Sequence, residues 1–242
     1  MTHEILGVIV DDVTDQELEE RLLAFLHSDR PHRIVTPNPE MVLLARKDPA
    51  FREQLNLSDL RLPDGIGLQV VTRRLRHRHT GVDTLEMIAR LCAEQGKQLV
   101  LLGGEFGEGE VAAEQLKKRY QGIRVVAMDP GKISADGSLS PEVRQVISDL
   151  HPDVIAVAFG QKKQEAAMAL LAEAIPHVRI LIGVGGAFNM ISGRLRRAPS
   201  WMRRVGLEWL WRVLIEPSRF PRTMRATVVF PLTVFWAKVV SR

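Results

Sequence analysis

The sequence predicts an α/β fold, a Rossmann-like parallel sheet flanked by helices, followed by a C-terminal helical appendage that associates with a membrane. Three observations predict it. From Lys97 onward, apolar runs of strand length alternate with helical patterns, the rhythm of right-handed βαβ units. Glycines stand just past the C-terminal ends of several of these runs, the edge at which open α/β sheets bind ligands. The charge is also divided. Arg194 to Arg242 carry 11 Lys+Arg against 2 Asp+Glu, a net +9, whereas Met1 to Gly193 carry 22 against 27, a net −5. All four Trp lie in the basic stretch. The expected division is an α/β body over 1–193 and a basic, Trp-rich appendage over 194–242.

The elements follow in order. Ile5–Val10 reads as a buried strand, and Thr14-Asp-Gln-Glu17 as a capping box. The helix it opens has Leu18, Leu22, Phe25 and Leu26 on one face. Arg33–Thr36 is a short strand. Asn38-Pro39-Glu40 then matches an N-cap, a first-turn proline and a first-turn acid, opening a helix to about Leu55. Leu62-Pro-Asp-Gly65 is turn chemistry before a helix over Ile66–Leu75. Asp83-Thr-Leu-Glu86 looks like a cap for a helix to Gln95. Strands at Gln98–Leu102, Ile123–Met128, Asp153–Phe159 and Val178–Val184 alternate with helices at Gly109–Tyr120, Pro141–Leu150 and Lys163–Ala174. In the appendage, Trp201–Glu216 reads as one helix with Arg204, Glu208, Arg212 and Glu216 in a stripe of alternating sign. Arg219, Arg222 and Arg225 follow as bases left free to act.

Composition excludes several classes. With 45% apolar and 26% charged residues, the chain can bury a core, so it is not globally disordered. Cys92 stands alone, which leaves no intramolecular disulfide and no cysteine-based zinc site. The first residues lack a basic n-region and do not read as a signal peptide. The longest charge-free run of the appendage is the 12 residues Ala226–Ala237, interrupted by Pro231. As a helix it would reach roughly 18 Å, short of about 30 Å of hydrocarbon. It could lie on a bilayer but not easily cross one.

Candidate chemistry gathers near the strand ends. Asp64 sits in an apolar turn where burial would raise its pKa towards that of a general base; a turn or cap aspartate is the alternative. Thr36 and Asn38 precede a proline-started helix whose free N–H groups suit an anion; a cap role for Asn38 is the plainer reading, and the two roles are compatible. Gly103-Gly104 is a glycine turn after a strand. Gly160 and the residues Lys162, Lys163, Gln164 and Glu165 close one strand and open a helix, where phosphate or sugar hydroxyls could be met or solvent faced. Asp11-Asp12 reads as a turn. No His/Asp/Glu spacing resembles a metal site, and no metal or cofactor is expected. The basic appendage could meet nucleic acid, an anionic membrane surface or a phosphorylated substrate. Its aromatics sit among Val, Leu and Ile, which favours the membrane over nucleic acid. Packing on the body, or on a second copy as a homodimer, is the plainer reading.

Several stretches together resemble the WecG/TagA/CpsF family of bacterial glycosyltransferases. They are Thr36-Pro-Asn38-Pro-Glu40, Pro63-Asp64-Gly65-Ile-Gly67, Arg78-His-Thr-Gly81-Val-Asp83, Leu102-Gly-Gly104, Gly160 with Lys163-Gln164-Glu165, Gly183-Val-Gly185-Gly186-Ala-Phe188, Arg197-Ala-Pro199 and Leu207-Glu-Trp-Leu-Trp-Arg212 through Arg219 and Arg222. The resemblance implies inverting, metal-independent transfer from a UDP-sugar to a polyprenyl-diphosphate-linked sugar at the cytoplasmic membrane face. Its best-described form moves N-acetylmannosamine onto undecaprenyl-diphosphate-linked N-acetylglucosamine, in teichoic acid or related polymer synthesis. It implies Asp64 as the base and Arg212, Arg219 and Arg222 beside the leaving diphosphate. It implies that Thr36, Asn38 and Gln164 line the pocket. The expected substrate-binding set adds Arg78, Gly103, Gly104, Gly160, Lys163, Glu165, Gly185, Gly186 and Asn189. Asn189 replaces the usual aspartate, and Lys162 a usual proline. Both changes are compatible with another UDP-hexose. A non-catalytic, membrane-docked nucleotide-sugar-binding protein would keep the glycines and make Asp64 a cap.

Overall fold

The computed structural model describes residues 1–240 except Arg73 and Phe106. The chain opens with a two-stranded antiparallel hairpin, β1 (Thr2–Ile5) and β2 (Val8–Asp11). The apolar run Ile5–Val10 is therefore not one strand. Leu6 and Gly7 take φ values of 51° and 85°, which turns the chain back on itself between the two strands. Asp11 is not in a turn but at the end of β2, buried, with its carboxylate paired to Arg61 at 3.1 Å.

Next come α1 (Asp15–Leu26), β3 (His32–Val35), α2 (Pro39–Lys47), α3 (Pro49–Asn56) and β4 (Leu60–Arg61). The predicted helix to Leu55 is thus two helices. Pro49 disfavours helical backbone at Asp48, which is extended at φ −131° and caps α3 through the Phe51 N–H. The following helix is shorter than expected, α4 (Ile66–Val71). In α5 (Gly81–Gln95) the cap is Thr80 rather than Asp83, which lies one turn in and shares the Thr80 hydroxyl at 2.6 Å. Then β5 (Gln98–Gly103), α6 (Glu108–Arg119), β6 (Arg124–Met128), α7 (Pro141–Asp149), β7 (Val154–Ala158), α8 (Lys163–Ala174) and β8 (Ile180–Gly183) alternate as the sequence predicts.

Six strands form one parallel sheet in the order β4-β3-β8-β7-β5-β6. Its residues alternate between two cores. Ile34, Leu99, Leu101, Val154, Ala156, Ile180 and Ile182 pack with α1, α5 and α6. Val35, Val100, Leu102, Ile155, Val157 and Leu181 pack with α2, α3 and α8 on the other face. From β5 the chain winds outward to β6, whereas from β7 it winds the other way to β8. A crevice opens where the two directions part, at the carboxyl ends of β5 and β7.

The remaining helices are short: α9 (Ala187–Ile191), α10 (Ser200–Arg204), α11 (Glu208–Ile215), a 3₁₀ turn (Pro217–Arg219), α12 (Phe220–Met224), a π-helical turn (Arg225–Val229) and α13 (Phe230–Val240). The expected helix Trp201–Glu216 is broken. Gly206 turns at φ 77° and lies so close to Ile66 that a Cβ would come within 2.8 Å of it. The alternating stripe therefore does not form as one row. Glu208 faces Arg197 at 3.8 Å, and Glu216 pairs with Arg219 at 2.9 Å. In α13, Phe230 is fully buried and Val234 nearly so, both within the core under α2, α3 and α8. Among the described residues no helix is long and apolar enough to cross a membrane.

Candidate active site

One cleft of about 1130 Å³ lies over the carboxyl ends of the strands. The body forms its floor. Thr36 follows β3, and its hydroxyl donates to the Gly183 carbonyl at 3.3 Å, joining neighbouring strands. Asn38 caps α2 by accepting from the Met41 N–H at 3.0 Å. The first turn of α2 thereby faces the cleft with its positive dipole end. Gly103 ends β5, where a Cβ would stand 2.6 Å from the Phe159 ring. Only glycine lets that strand end approach its neighbour so closely. Gly104, Gly160, Gly185, Gly186, Lys163 and Asn189 also line the cleft.

Asp64 stands in the same cavity, in the turn before α4. Its backbone N–H donates to the Pro37 carbonyl at 2.8 Å, which fixes the turn against the start of α2. The cap position of α4 is Gly65, with no side-chain hydrogen bond, so Asp64 does not serve as a cap. Burial above all, and then Glu208, push its carboxyl up to about 6; Arg212 and Arg78 act against that rise. Such a carboxylate is ionised at neutral pH yet basic enough to take a proton.

A relay supports the back wall. The Gln164 amide oxygen accepts from the Gly185 N–H at 3.1 Å, and its nitrogen donates to Glu165 at 2.8 Å. The second oxygen of Glu165 accepts from the Lys162 N–H at 2.7 Å. Glu165 does not line the cleft; it is 2% exposed behind Gln164, and burial pushes its carboxyl up to about 7. Lys162 is also outside the lining, because its ammonium pairs with Asp48.

The appendage supplies the opposite wall. Arg212, Arg219 and Arg222 all line the cleft. Arg212 is pulled below its usual range by burial and then by Arg219, with Asp64, Glu208 and Glu216 opposing. Arg219 and Arg222 are not free of partners, as local sequence implied. Arg219 pairs with Glu216, and Arg222 with Glu40 at 2.8 Å. Arg225 is exposed and does not line the cleft. Arg78 lines the cleft and donates to the Arg203 carbonyl at 3.0 Å, tying body to appendage.

Other lining residues escape the sequence reading. Asp129 and Lys132 follow β6, at the same sheet edge that marks the other glycine turns, and that rule could have found them. Ile66, Val70 and Trp209 join only through tertiary packing. Among the described residues, no group of three His, Cys, Asp or Glu could hold a metal ion.

The family model described as "Glycosyl transferase WecG/TagA/CpsF family" matches residues 3–242. The chain belongs to this family. Three curated relatives each carry the name N-acetylglucosaminyldiphosphoundecaprenol N-acetyl-beta-D-mannosaminyltransferase. That of Bacillus subtilis (strain 168) is 32% identical over 205 residues, covering 83% of this chain and 78% of that protein. That of Bacillus spizizenii is 28% identical, covering 88% and 84%. That of Staphylococcus aureus (strain MRSA252) is 29% identical, covering 97% and 92%. The WecG/TagA/CpsF match runs through both walls of the cleft, so the family assignment includes the appendage.

Proposed function

We propose that this glycosyltransferase is a UDP-sugar-dependent, metal-independent, inverting enzyme acting on a polyprenyl-diphosphate-linked acceptor. The donor sugar is N-acetylmannosamine and the acceptor undecaprenyl-diphosphate-linked N-acetylglucosamine, as the names of the relatives describe for those proteins. The polymer served is a teichoic acid or related surface polysaccharide.

The carrying observation is one cavity that holds a carboxylate raised to about 6 together with three arginines. Inverting transfer needs both. The acceptor hydroxyl attacks the anomeric carbon while Asp64 takes its proton. The bond to UDP breaks, and UDP leaves with the electron pair. Arg212, Arg219 and Arg222 offset the charge that develops on the diphosphate, because a guanidinium fork matches its oxygens. Thr36, Asn38, Arg78, Lys163, Gln164 and the glycine turns hold the donor.

The appendage supports attachment to the inner face of the cell membrane. Trp201, Leu232, Phe235 and Trp236 are exposed there, with Arg204 and Arg225 in the same segment. Asn189 on the cleft wall favours a second donor reading, another UDP-hexose for an exopolysaccharide.

A panel of UDP-sugars offered with a short-chain polyprenyl-diphosphate N-acetylglucosamine tests the proposal. The expected result is UDP release and a β-linked disaccharide, greatest with UDP-N-acetylmannosamine and insensitive to EDTA. UDP release only with a UDP-hexose selects the second reading. Nucleotide binding without release from any donor overturns both.

A further inference from the structure

Glu40 is the acid in the first turn of α2, and its carboxylate lies in the cleft wall. Arg222 reaches it from α12, 182 residues away in sequence. The contact is made along one edge of the guanidinium. Nε donates to both carboxylate oxygens at 3.2 and 3.1 Å, and Nη2 donates to Oε2 at 2.8 Å. Oε2 also accepts from the Gln161 side-chain amide at 3.1 Å. Gln161 follows β7, so three separate elements meet at one carboxylate.

A guanidinium is planar and rigid, so fixing one edge fixes the others. Among the described residues, Nη1 of Arg222 makes no hydrogen bond, and the residue lines the cleft. Its second edge therefore remains available to an anion. The arrangement is unlike that of Arg219, whose partner Glu216 is three residues away in the same segment.

We propose that Glu40 is a positioning residue. It holds one edge of Arg222, with Gln161 holding Glu40, so that the other edge is presented to a diphosphate in the cleft. This rests on the proposed role of Arg222 at the leaving group. The first-turn placement of Glu40 fits the task. Asn38 and Pro39 fix the turn that carries it. In this role Glu40 acts through Arg222 rather than on the reacting atoms. It acts by making the fork of Arg222 rigid before the diphosphate arrives.

The test is a double-mutant cycle on the full chain, Glu40→Gln, Arg222→Ala and the pair, with transfer and UDP affinity both measured. Thermal unfolding confirms that each variant folds. Glu40→Gln keeps the size of the side chain and removes the charge that clamps the guanidinium. It is expected to weaken UDP binding and kcat/KM on the order of tenfold in the Arg222 background and to have no effect once Arg222 is absent. Glu40→Asp, which keeps the charge but shortens the reach, should restore part of the loss. Multiplicative losses in the pair, or a Glu40→Gln enzyme equal to wild type, overturn the proposal. If Arg222→Ala alone transfers normally, the leaving-group role of Arg222 fails first, and a Glu40→Gln loss that persists without Arg222 shows that Glu40 acts elsewhere.

Discussion

The two walls of the cleft are built by different means. The body wall rests on a sheet whose central strands β7 and β8 are buried at nearly every residue, and its polar groups are set by backbone: strand ends, a helix start, a glycine turn. The appendage wall rests on short helices, and α11 and α12 contain no buried residue. It is held by a few polar links, Arg197 to Asp83, Arg222 to Glu40 and Arg78 to the Arg203 carbonyl, and by Phe230 in the core. The difference separates preformed geometry from geometry that depends on docking. Asp64, the proposed base, lies on the first kind of wall, and Arg212, Arg219 and Arg222, the proposed leaving-group cations, on the second. On that proposal the catalytic set is complete only when the appendage is seated.

Removing the appendage is the most direct way to break that comparison. A chain ending at Gly193 should lose transfer to background and also lose binding to anionic liposomes. Full activity of the shortened chain would show that the body wall suffices. Next in size, Asp64→Asn should reduce transfer by roughly two to four orders of magnitude. UDP binding, measured by titration calorimetry, should stay near wild type, because the arginines proposed to hold the diphosphate are untouched.

Within the appendage, buried and exposed aromatics should behave oppositely. Phe230→Ala should destabilise the chain by about 3–5 kcal/mol in urea unfolding, as expected for emptying a packed aromatic site. Trp236 is 63% exposed, so Trp236→Ala should change stability by no more than about 0.5 kcal/mol while weakening liposome binding. Equal effects on stability would mean that the appendage packs as the body does.

The smallest effect concerns pH. Asp64 holds its proton up to about 6, against 3.8 for an ordinary aspartate. The folded chain therefore binds more protons than the unfolded chain between these values, and stability falls as pH rises through that window. Glu165, raised to about 7, acts with the same sign. Asp64→Asn should thus match wild type near pH 4 and be the more stable protein at pH 8, by chemical denaturation. Transfer by wild type should fall as pH drops through about 6. A variant no more stable at pH 8 would show that Asp64 ionises in the folded chain as readily as in water.

Much of the body was legible because its signals are local. Alternating apolar runs with helical patterns between them gave β5 to β8 and their helices to within a residue or two. Glycines beyond the strands marked the cleft edge. The misreadings also have local causes. A run of apolar residues does not show a hairpin when its turn includes Leu6, and Asp48-Pro49 divides a helix whose pattern continues across it. Asp83 and Glu86 show the spacing of a cap, yet the cap is Thr80, three residues before Asp83.

The cleft itself divides in the same way. Sequence alone determined the sheet strands β3 and β5 to β8, though not the edge strand β4, and with them the edge at which ligands would bind, the residue types able to act there and the concentration of bases in the last segment. Each depends on periodicity or on neighbours a few positions apart. Only the tertiary structure decided the partners. It put Glu165 behind Gln164, turned Lys162 away to Asp48 and gave Arg222 to Glu40. Burial and ion pairing are set by what folds against a residue from a distance, and 182 positions separate Glu40 from Arg222. No local pattern carries that distance, so the pairing of Glu40 with Arg222 exists only once the appendage lies across the ends of the strands.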